Sequence, residues 1–279
     1  MIISARAKVA GVFGWPVEHS RSPRLHGYWL DAYGIDGAYV PLPVRPEHFE
    51  QALRLLPAMG FAGANVTLPH KEAALKTVDE SSALARRVGA VNTVVVRDDG
   101  SLYGDNTDAE GFVANLREGA PGWDASTGPA VMLGAGGVAR AAGVALLDAG
   151  APELRIVNRT ASRAEKLAQE LGGRAKVSLW VDRAHVLADA ALLVNATLLG
   201  MDGQAPLDIE LGLLAKNAVV TDTVYTPLET PLLRRAAERG NVTVDGIGML
   251  LHQGRRGFAA WYGVDPEVTP ELRAFVLSG

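Results

Sequence analysis

The chain has 279 residues, a net charge of -4 at pH 7 and a pI near 5.9. It lacks the basic stripe that nucleic-acid binding needs, so we predict no nucleic-acid partner. The absence of cysteine excludes disulfides, thiolate catalysis and cysteine-based zinc sites, and no other metal site is predicted. No apolar run is long enough to cross a membrane and the N-terminus has no signal-peptide pattern, so we expect a cytoplasmic protein without a membrane partner.

Short β-branched runs alternate with helical patterns in the first part of the chain, a rhythm typical of α/β folds. Strands are predicted over residues 9–13, 37–44 and 63–68. Helices are predicted over residues 22–34, 46–60 and 71–78. Pro23 stands in the first turn of the first helix and Gly34 beyond its end, as such termini favour. Two extended runs then flank Asp99-Gly100, which predicts a β-hairpin.

A helix is predicted over residues 107–118, and the Gly-, Pro- and Ser-rich segment 119–129 after it is interpreted as an interdomain linker. The βα alternation restarts at Ala130. Further strands are predicted over residues 154–158, 191–197 and 218–224. Two helices are predicted near the end of the chain, over residues 248–263 and 269–279. Their periodicity does not decide on which half of the protein they pack.

A glycine-rich turn follows the strand predicted at residue 130. The sequence Gly134-Ala135-Gly136-Gly137-Val138-Ala139 fits the G-x-G-x-x-A pattern of dinucleotide-binding folds. The first glycine permits a tight turn, the second lets the backbone approach a pyrophosphate, and the helix N-terminus favours the anion. The alternative is a purely structural βα turn, because glycine turns are common.

The end of the next strand predicts which dinucleotide binds. An NAD site offers Asp or Glu to the ribose 2′-OH at this point. This chain has Asn158, Arg159 and Thr160, followed by Arg163. Because arginine binds a 2′-phosphate that a carboxylate would repel, we predict NADP rather than NAD. The alternative is that the two arginines belong to a solvated charged loop.

Small polar residues cluster at predicted strand ends and helix starts in the first half. They are Ser20, Ser22, Asn65, Thr67, Lys71, Asn92 and Asp108. The carboxyl ends of parallel strands share one edge, where such a set could line a cleft for a small polyhydroxylated acid. Each residue also has an ordinary explanation, as a helix cap, a turn residue or, for Lys71, a solvated lysine. Lysine is nevertheless unfavourable at a helix start, which draws attention to Lys71.

A similar strand end lies in the second half, where Asn195, Ala196 and Thr197 close a predicted parallel strand. They would lie at the same sheet edge as the glycine loop, where ligands bind. An ordinary strand-end turn is the alternative.

Eight motifs occur in order: GxPVxHSRSP, GANVTLPHKE, GAVNT, GDNTDxxG, GAGGVAR, NRTxxR, NAT and DGIGMLLHQ. Together they closely resemble the shikimate dehydrogenase family over residues 10–262. The resemblance implies a two-domain α/β fold with an active cleft between the domains. Residues 1–108 and 241–279 would form the catalytic, substrate-binding domain, and residues 109–240 the Rossmann-like, parallel-sheet NADP-binding domain. The implied reaction is the reversible NADPH-dependent reduction of 3-dehydroshikimate to shikimate, a step towards chorismate and the aromatic amino acids.

The resemblance also implies residue roles. Lys71 and Asp108 would be the catalytic pair at the reacting oxygen. The implied substrate-binding residues are Ser20 and Ser22 at the carboxylate, and Asn65, Thr67, Asn92, Tyr225 and Gln253 elsewhere on the substrate. The implied cofactor-binding residues are Gly134, Ala135, Gly136, Gly137 and Val138 at the pyrophosphate, Asn158, Arg159, Thr160 and Arg163 at the 2′-phosphate, and Ala196, Thr197, Thr223, Gly246 and Met249 near the ribose and nicotinamide. The sequence leaves open which catalytic residue carries the proton.

Two positions depart from the family pattern. Leu198 stands where members commonly have the Ser of NATSxG, and Thr223 where they often have Leu or Met. Both departures concern the cofactor side of the site rather than the fold.

The sequence is also compatible with other functions and assembly states. A quinate/shikimate dehydrogenase with broader substrate range and frequent use of NAD is the nearest alternative function, although the Asn158-Arg159-Thr160 strand end argues against NAD. A non-catalytic NADP-binding sensor is disfavoured, because both Lys71 and Asp108 are present. Family members are monomers or homodimers, so a homodimer is one alternative.

Overall fold

The computed structural model describes residues 3–278, in which twelve strands and ten α-helices occur. The strands are β1 (Lys8–Gly14), β2 (Gly37–Pro43), β3 (Phe61–Val66), β4 (Glu80–Ser81), β5 (Thr93–Val96), β6 (Leu102–Asp105), β7 (Ala130–Leu133), β8 (Leu154–Val157), β9 (Ala175–Ser178), β10 (Leu192–Asn195), β11 (Val219–Asp222) and β12 (Val242–Val244). The helices are α1 (Ser22–Ala32), α2 (Phe49–Arg54), α3 (Lys71–Thr77), α4 (Ala83–Val88), α5 (Asp108–Gly119), α6 (Gly137–Asp148), α7 (Ala161–Leu171), α8 (Pro231–Glu238), α9 (Ile247–Tyr262) and α10 (Pro270–Leu277). Gly279, the last residue of the predicted final helix, lies outside the described residues.

The chain divides into two compact units, each with a six-stranded sheet. One unit contains the chain up to Thr107 and from Leu250 onward, and the other is Asp108–Met249. The predicted two-domain α/β architecture is therefore confirmed.

Two details of the division differ from the sequence prediction. β12 pairs in parallel with β11, so residues 241–249 lie in the second unit and the boundary falls at 249/250 instead of 240/241. The segment 119–129 is not an interdomain linker, because it joins α5 to β7 inside the second unit. Gly, Pro and Ser mark a loop of any kind, and their composition does not show what the loop connects.

The first sheet has the order β2-β1-β3-β5-β6-β4. β1 lies parallel to both β2 and β3, whereas β5 runs antiparallel to β3 and β6. The predicted hairpin is confirmed, and Gly100 supplies the positive φ of 80° that its turn requires. The carboxyl ends of β1, β2 and β3 consequently share one edge. Apolar residues of β1 and β3 pack against α2 and the segment before β5. The buried cluster includes Phe13, Phe49, Leu53, Val66 and Val91.

The second predicted helix is shorter than expected. A 3₁₀ turn occupies Pro46–His48, and α2 ends at Arg54 instead of continuing to residue 60. Pro57 explains the early end, because the residue before a proline avoids the α conformation. The elements β4, α4, α7, β9, α8 and β12 were not anticipated from the sequence.

Both C-terminal helices contact the first unit, which answers the question that periodicity left open. The Trp261 indole N–H donates to the Val94 carbonyl in β5 over 3.0 Å. The guanidinium of Arg21, next to α1, donates to the Val276 carbonyl in α10 over 2.7 Å. Gly63 in β3 leaves room for the Trp261 ring, since a Cβ there would collide with the indole nitrogen.

The second sheet has the order β12-β11-β10-β7-β8-β9, and all its pairings are parallel. The predicted Rossmann-like parallel sheet is thus confirmed. Every residue of its central strands β7, β10 and β11 is buried, as expected for strands covered on both faces. In residues 3–278, no helix combines the length and the apolar character that a membrane span requires.

Candidate active site

Asn65 lies next to the end of β3, and its buried amide joins three segments of the first unit. Its Nδ2 donates to the Asn92 carbonyl and to the Thr93 hydroxyl, both over 3.1 Å. Its Oδ1 accepts from the Tyr39 hydroxyl over 2.7 Å. Both amide hydrogens are therefore engaged within the protein, and Asn65 can offer a ligand only the remaining capacity of its oxygen as an acceptor.

Asn92 and Gln253 are 161 residues apart in sequence, and the structure brings them together. Asn92 Nδ2 lies 3.3 Å from Gln253 Oε1 and 3.0 Å from the Thr107 hydroxyl. The Thr107 backbone N–H donates to Asn92 Oδ1 over 2.9 Å. Gln253 Nε2 in turn donates to the Leu250 carbonyl over 3.1 Å. The result is a buried polar network that links the start of β5, the turn after β6 and α9.

Thr107 was not among the candidate residues, although it stands inside the GDNTD motif that pointed to Asp108. Its position between Asn92 and Gln253 depends on tertiary packing, which the motif alone does not show. Asp108 is buried and is the first residue of α5.

Lys71 is the first residue of α3 and is half-buried. Its carbonyl accepts the Val91 N–H over 3.0 Å, which joins the helix start to the residue before Asn92. Thr67 follows β3, and its N–H donates to the Phe13 carbonyl in β1 over 2.8 Å. The structure therefore places both residues at the carboxyl edge of the first sheet.

His70 holds the turn that leads into Lys71, a role that the sequence did not indicate. Its Nε2 lies 2.8 Å from the Val44 carbonyl, and its ring stacks on Phe49 at a centroid distance of 4.4 Å. Burial lowers the pKa of His70 below its ordinary value. A neutral imidazole packed in this way gives the start of α3 a fixed support.

Ser20 and Ser22 follow β1 at the same edge. The Ser20 hydroxyl oxygen accepts the Ser22 N–H over 3.3 Å, although Arg21 is the N-cap residue of α1 and makes no side-chain cap hydrogen bond. Ser22 is buried and lies beside Tyr39. Burial raises the pKa of Tyr39 well above its ordinary value, and a hydrogen bond with Ser22 acts in the opposite direction.

In the second unit, the glycine loop connects β7 to α6. Gly134 has a φ of +115°, and a Cβ there would lie 2.6 Å from the Ala196 carbonyl oxygen. The fold itself therefore requires glycine at this position. At Gly136 and Gly137 an added Cβ would meet no atom within 4 Å. Open space thus lies at the N-terminus of a twelve-residue helix, and a pyrophosphate fits both the space and the N–H groups.

Two exposed arginines follow β8, Arg159 in the loop and Arg163 in the first turn of α7. Among residues 3–278, neither guanidinium has an ion-pair partner. Asn158 donates from Nδ2 to the Thr160 carbonyl over 2.8 Å, which shapes the loop. The neighbouring Arg140 differs, because its guanidinium is paired with Glu170 of α7. Residues 158–163 therefore offer two cations without an ion-pair partner and no carboxylate, a combination that favours a 2′-phosphate.

The NAT motif forms a closed turn at the end of β10. Asn195 Oδ1 accepts from the backbone N–H and the hydroxyl of Thr197, over 3.1 and 2.7 Å. Its Nδ2 donates to Asp222 Oδ1 over 2.9 Å. Ala196 is half-buried next to Gly134, whereas Leu198 is exposed.

Asp222 was not a candidate residue, yet it joins this turn to the end of β11. Its carboxylate also accepts from the Val224 N–H over 3.0 Å and the Thr230 hydroxyl over 2.7 Å. Burial raises the pKa of Asp222, and its three hydrogen bonds act in the opposite direction. The signal in the sequence was a polar side chain at the end of a predicted strand, in Thr-Asp-Thr-Val.

The remaining predicted residues follow β11 and β12 in the second unit. Gly246 is buried against the backbone after β11, where a Cβ would lie 2.5 Å from the Thr223 carbonyl oxygen. Met249 is buried, and Thr223 and Tyr225 are half-buried.

The two other predicted residues belong to the glycine loop after β7. Ala135 and Val138 are half-buried, next to the open space at Gly136 and Gly137.

Two family models match this chain. The model described as "Shikimate dehydrogenase substrate binding domain" covers residues 12–94, and "Shikimate / quinate 5-dehydrogenase" covers residues 121–199. The chain belongs to the shikimate dehydrogenase family. This membership agrees with the resemblance that the eight sequence motifs carry.

Individual relatives extend the family match to almost the whole chain. The shikimate dehydrogenase (NADP(+)) of Paramagnetospirillum magneticum is 60% identical over 276 residues, which are 99% of this chain and 100% of that protein. A crystal structure of shikimate 5-dehydrogenase from Thermus thermophilus, in complex with NADP(H) and shikimate, is 38% identical with a TM-score of 0.86, over 97% and 99% of the two chains. Quinate dehydrogenase from Corynebacterium glutamicum, in complex with NAD, is 33% identical with a TM-score of 0.91, over 98% and 99%.

Proposed function

We propose that the chain is an NADP-dependent shikimate dehydrogenase, which reversibly reduces 3-dehydroshikimate to shikimate on the route to chorismate and the aromatic amino acids. The observation that carries the proposal is the buried network of Asn92, Thr107 and Gln253 beside Lys71 at the carboxyl edge of the first sheet. Such a preset group of amides and hydroxyls suits a small, polyhydroxylated acid. The near full-length identity to relatives named shikimate dehydrogenase (NADP(+)) supports the same substrate.

The substrate is held by hydrogen bonds of complementary polarity. Hydroxyl groups of Ser20 and Ser22 bind the carboxylate, while Thr67, Asn92, Tyr225 and Gln253 contact the ring hydroxyls. Asn65 contributes an acceptor oxygen, because its two amide hydrogens are already engaged. Asn65 can therefore bind a substrate hydroxyl that donates a hydrogen bond to this oxygen.

Proton transfer is assigned to Lys71 and Asp108. In the reductive direction, the substrate carbonyl oxygen gains a proton as its carbon gains a hydride, and the Lys71 ammonium supplies that proton. In the oxidative direction, the Lys71 amine takes the proton back. Asp108 accepts a hydrogen bond at the same oxygen and orients the hydroxyl. NADPH supplies the hydride when bound.

The cofactor residues lie along the carboxyl edge of the parallel sheet. Backbone N–H groups of residues 134–138 bind the pyrophosphate at the start of α6, where the open space at Gly136 and Gly137 accommodates it. Residues Asn158, Arg159, Thr160 and Arg163 bind the 2′-phosphate. Residues Ala196, Thr197, Thr223, Gly246 and Met249 contact the ribose and nicotinamide.

Each of the two units has its own role in this function. The first unit is the substrate-binding catalytic domain and the second is the NADP-binding domain. A biosynthetic reaction of this kind supports a cytoplasmic location. Its assembly state is that of a monomer or a homodimer, which size-exclusion chromatography of the purified protein distinguishes.

The test is a substrate and cofactor exchange. Purified protein is mixed with shikimate and NADP⁺, and formation of the reduced nicotinamide is followed by its absorbance. Rapid turnover with this pair, and slow turnover after either quinate or NAD⁺ is substituted, is the expected result. Comparable rates with quinate and NAD⁺ would instead favour the broader activity of the quinate dehydrogenases. Binding of NADP⁺ without turnover of any pair would contradict an enzymatic role.

A further inference from the structure

Asp105 is the last residue of β6, and three groups converge on its carboxylate. Oδ1 accepts from the Ser82 hydroxyl over 2.6 Å and from the Asn106 N–H over 2.8 Å. Oδ2 pairs with the Arg256 guanidinium of α9 over 3.2 Å. The Asp105 side chain is only 10% exposed, whereas that of Arg256 is 54% exposed. A largely buried carboxylate is thus tied to one cation that reaches it from the solvent side.

The ion pair lies close to the substrate network in both sequence and space. Asp105 precedes Thr107 by two residues, and Arg256 follows Gln253 by three residues on α9. Positions three apart on a helix lie on the same face. α9 therefore contacts the turn of residues 105–108 at two points, through Arg256 at Asp105 and through Gln253 at Thr107.

We propose that Arg256 is a positioning residue for the reaction, which acts by setting the rotation of α9 and hence the place of the Gln253 amide. The inference rests on the proposed function, because it assigns Gln253 to the substrate. Gln253 Oε1 reaches Asn92 Nδ2 over 3.3 Å, a distance near the limit of a useful hydrogen bond. A small rotation of α9 would separate these atoms, so a second anchor one turn along the helix has a direct effect on the site.

The neighbouring Arg255 provides a matched control on the same helix. Its guanidinium makes a two-oxygen ion pair with Asp265 and donates from Nε to the Pro266 carbonyl over 2.7 Å. These contacts lie away from the turn of residues 105–108. Arg255→Met therefore removes the ion pair with Asp265, whereas Arg256→Met removes the ion pair with Asp105 in the turn next to the substrate network.

Steady-state kinetics of the intact enzyme tests the proposal. Arg256→Met should raise the KM for shikimate about three- to tenfold, with kcat and the KM for NADP⁺ nearly unchanged. Arg256→Lys, which keeps a cation that can reach Asp105, should restore most of the loss. Arg255→Met should leave the KM for shikimate unchanged.

The deciding measurement repeats the substitution in a Gln253→Ala background. If Arg256 acts through Gln253, Arg256→Met should add nothing to the KM of that variant, because the two effects share one path. An equal, additive increase in both backgrounds would overturn the positioning role, as would an equal effect of Arg255→Met. Wild-type protein that does not oxidise shikimate with NADP⁺ would refute the proposed function and this inference with it. Wild-type turnover with an unchanged KM in Arg256→Met would refute only the inference.

Discussion

The backbone N–H of Thr107 donates to Oδ1 of Asn92 over 2.9 Å, and this one bond orients the Asn92 amide. A backbone N–H can bond only to the oxygen end of an amide, so the Nδ2 end must face Gln253. Gln253 is oriented in the same way, since its Nε2 donates to the Leu250 carbonyl. Fixed backbone groups therefore set the pattern of donors and acceptors that a substrate meets.

Asn92→Asp tests this orientation, because aspartate keeps the shape of the side chain but replaces the Nδ2 donor with an oxygen. That oxygen would stand 3.3 Å from Gln253 Oε1, an acceptor, and a negative charge would be added near the bound acid. We expect the KM for shikimate to rise about 10- to 100-fold, which corresponds to the loss of one or two buried hydrogen bonds. Steady-state kinetics at saturating NADP⁺ measures the change, and the same substitution at the exposed Asn217 is the control. An unchanged KM would mean that the Asn92 amide does not contact the substrate.

Lys71→Ala tests the proton-transfer role. Removal of a general acid or base lowers kcat by about 10²- to 10⁴-fold, whereas NADP⁺ binding, which depends on the other unit, should be retained. Lys76→Ala is the matched control, since Lys76 is an exposed lysine in the last turn of the same helix. The kcat of both variants is measured beside a titration of NADP⁺ binding. Normal turnover by Lys71→Ala would reject the catalytic assignment.

The double variant Arg159→Ala/Arg163→Ala tests recognition of the 2′-phosphate. Each charge-assisted hydrogen bond to the phosphate contributes about 1.5–3 kcal/mol, so we expect the KM for NADP⁺ to rise at least about tenfold. The KM for NAD⁺, which has no 2′-phosphate, should stay the same. Lys166→Ala on the exposed face of α7 controls for a general loss of positive charge. Equal effects on both dinucleotides would show that the arginines do not read the phosphate.

Local patterns predicted much of the fold, because strand periodicity, Pro23 in a first turn and Asp99-Gly100 in a hairpin act over few residues. The failures have a different physical origin. β12 belongs to the second unit only because it pairs with β11, some twenty residues earlier in the chain, and composition cannot reveal that pairing. The short strand β4 likewise depends on its parallel partner β6.

The candidate site shows the same limit. The motif positions Asn65, Lys71 and Asn92 were accessible from sequence, since each belongs to a motif near the end of a predicted strand or the start of a predicted element. Asp222 and Asp105 were not, because each is defined by hydrogen bonds from residues in other elements. Supporting residues of this kind become recognisable only when the packing is known.

Gly136→Ala and Gly134→Ala separate the two functions of the glycine loop. At Gly136 the φ is -89° and a new methyl group meets no protein atom, so we expect the melting temperature to change by no more than about 2 °C. The methyl group would nevertheless occupy the space assigned to the pyrophosphate, and NADP⁺ affinity should fall about tenfold or more. Gly134→Ala should instead lower the free energy of unfolding by at least about 1–3 kcal/mol. Its φ of +115° is strained for alanine, and the new methyl group would collide with the Ala196 carbonyl oxygen. Thermal unfolding with and without NADP⁺ measures both effects, and unaltered NADP⁺ affinity in Gly136→Ala would contradict the assignment.

His26 is expected to make the protein sensitive to acid. Its ring is fully buried and stacks on Tyr39 at a centroid distance of 4.0 Å. Burial lowers the pKa of His26 from 6.5 to about 3. Between these values the unfolded chain binds one more proton at this residue than the folded protein does. The free energy of unfolding should therefore fall as the pH drops from about 6.5 towards 3, by up to about 1.4 kcal/mol per pH unit from this residue.

His26→Phe isolates this contribution, because it keeps an aromatic ring in the stack and removes the titrating group. Urea denaturation at several pH values between about 7 and 4 should give a shallower loss of stability for the variant than for the wild type. His70, whose pKa is also lowered by burial, is present in both proteins and cancels in the comparison. Equal slopes would show that His26 gains a proton in the folded state as readily as in the unfolded one. The stacked ring would then have to become accessible to solvent at mildly acidic pH.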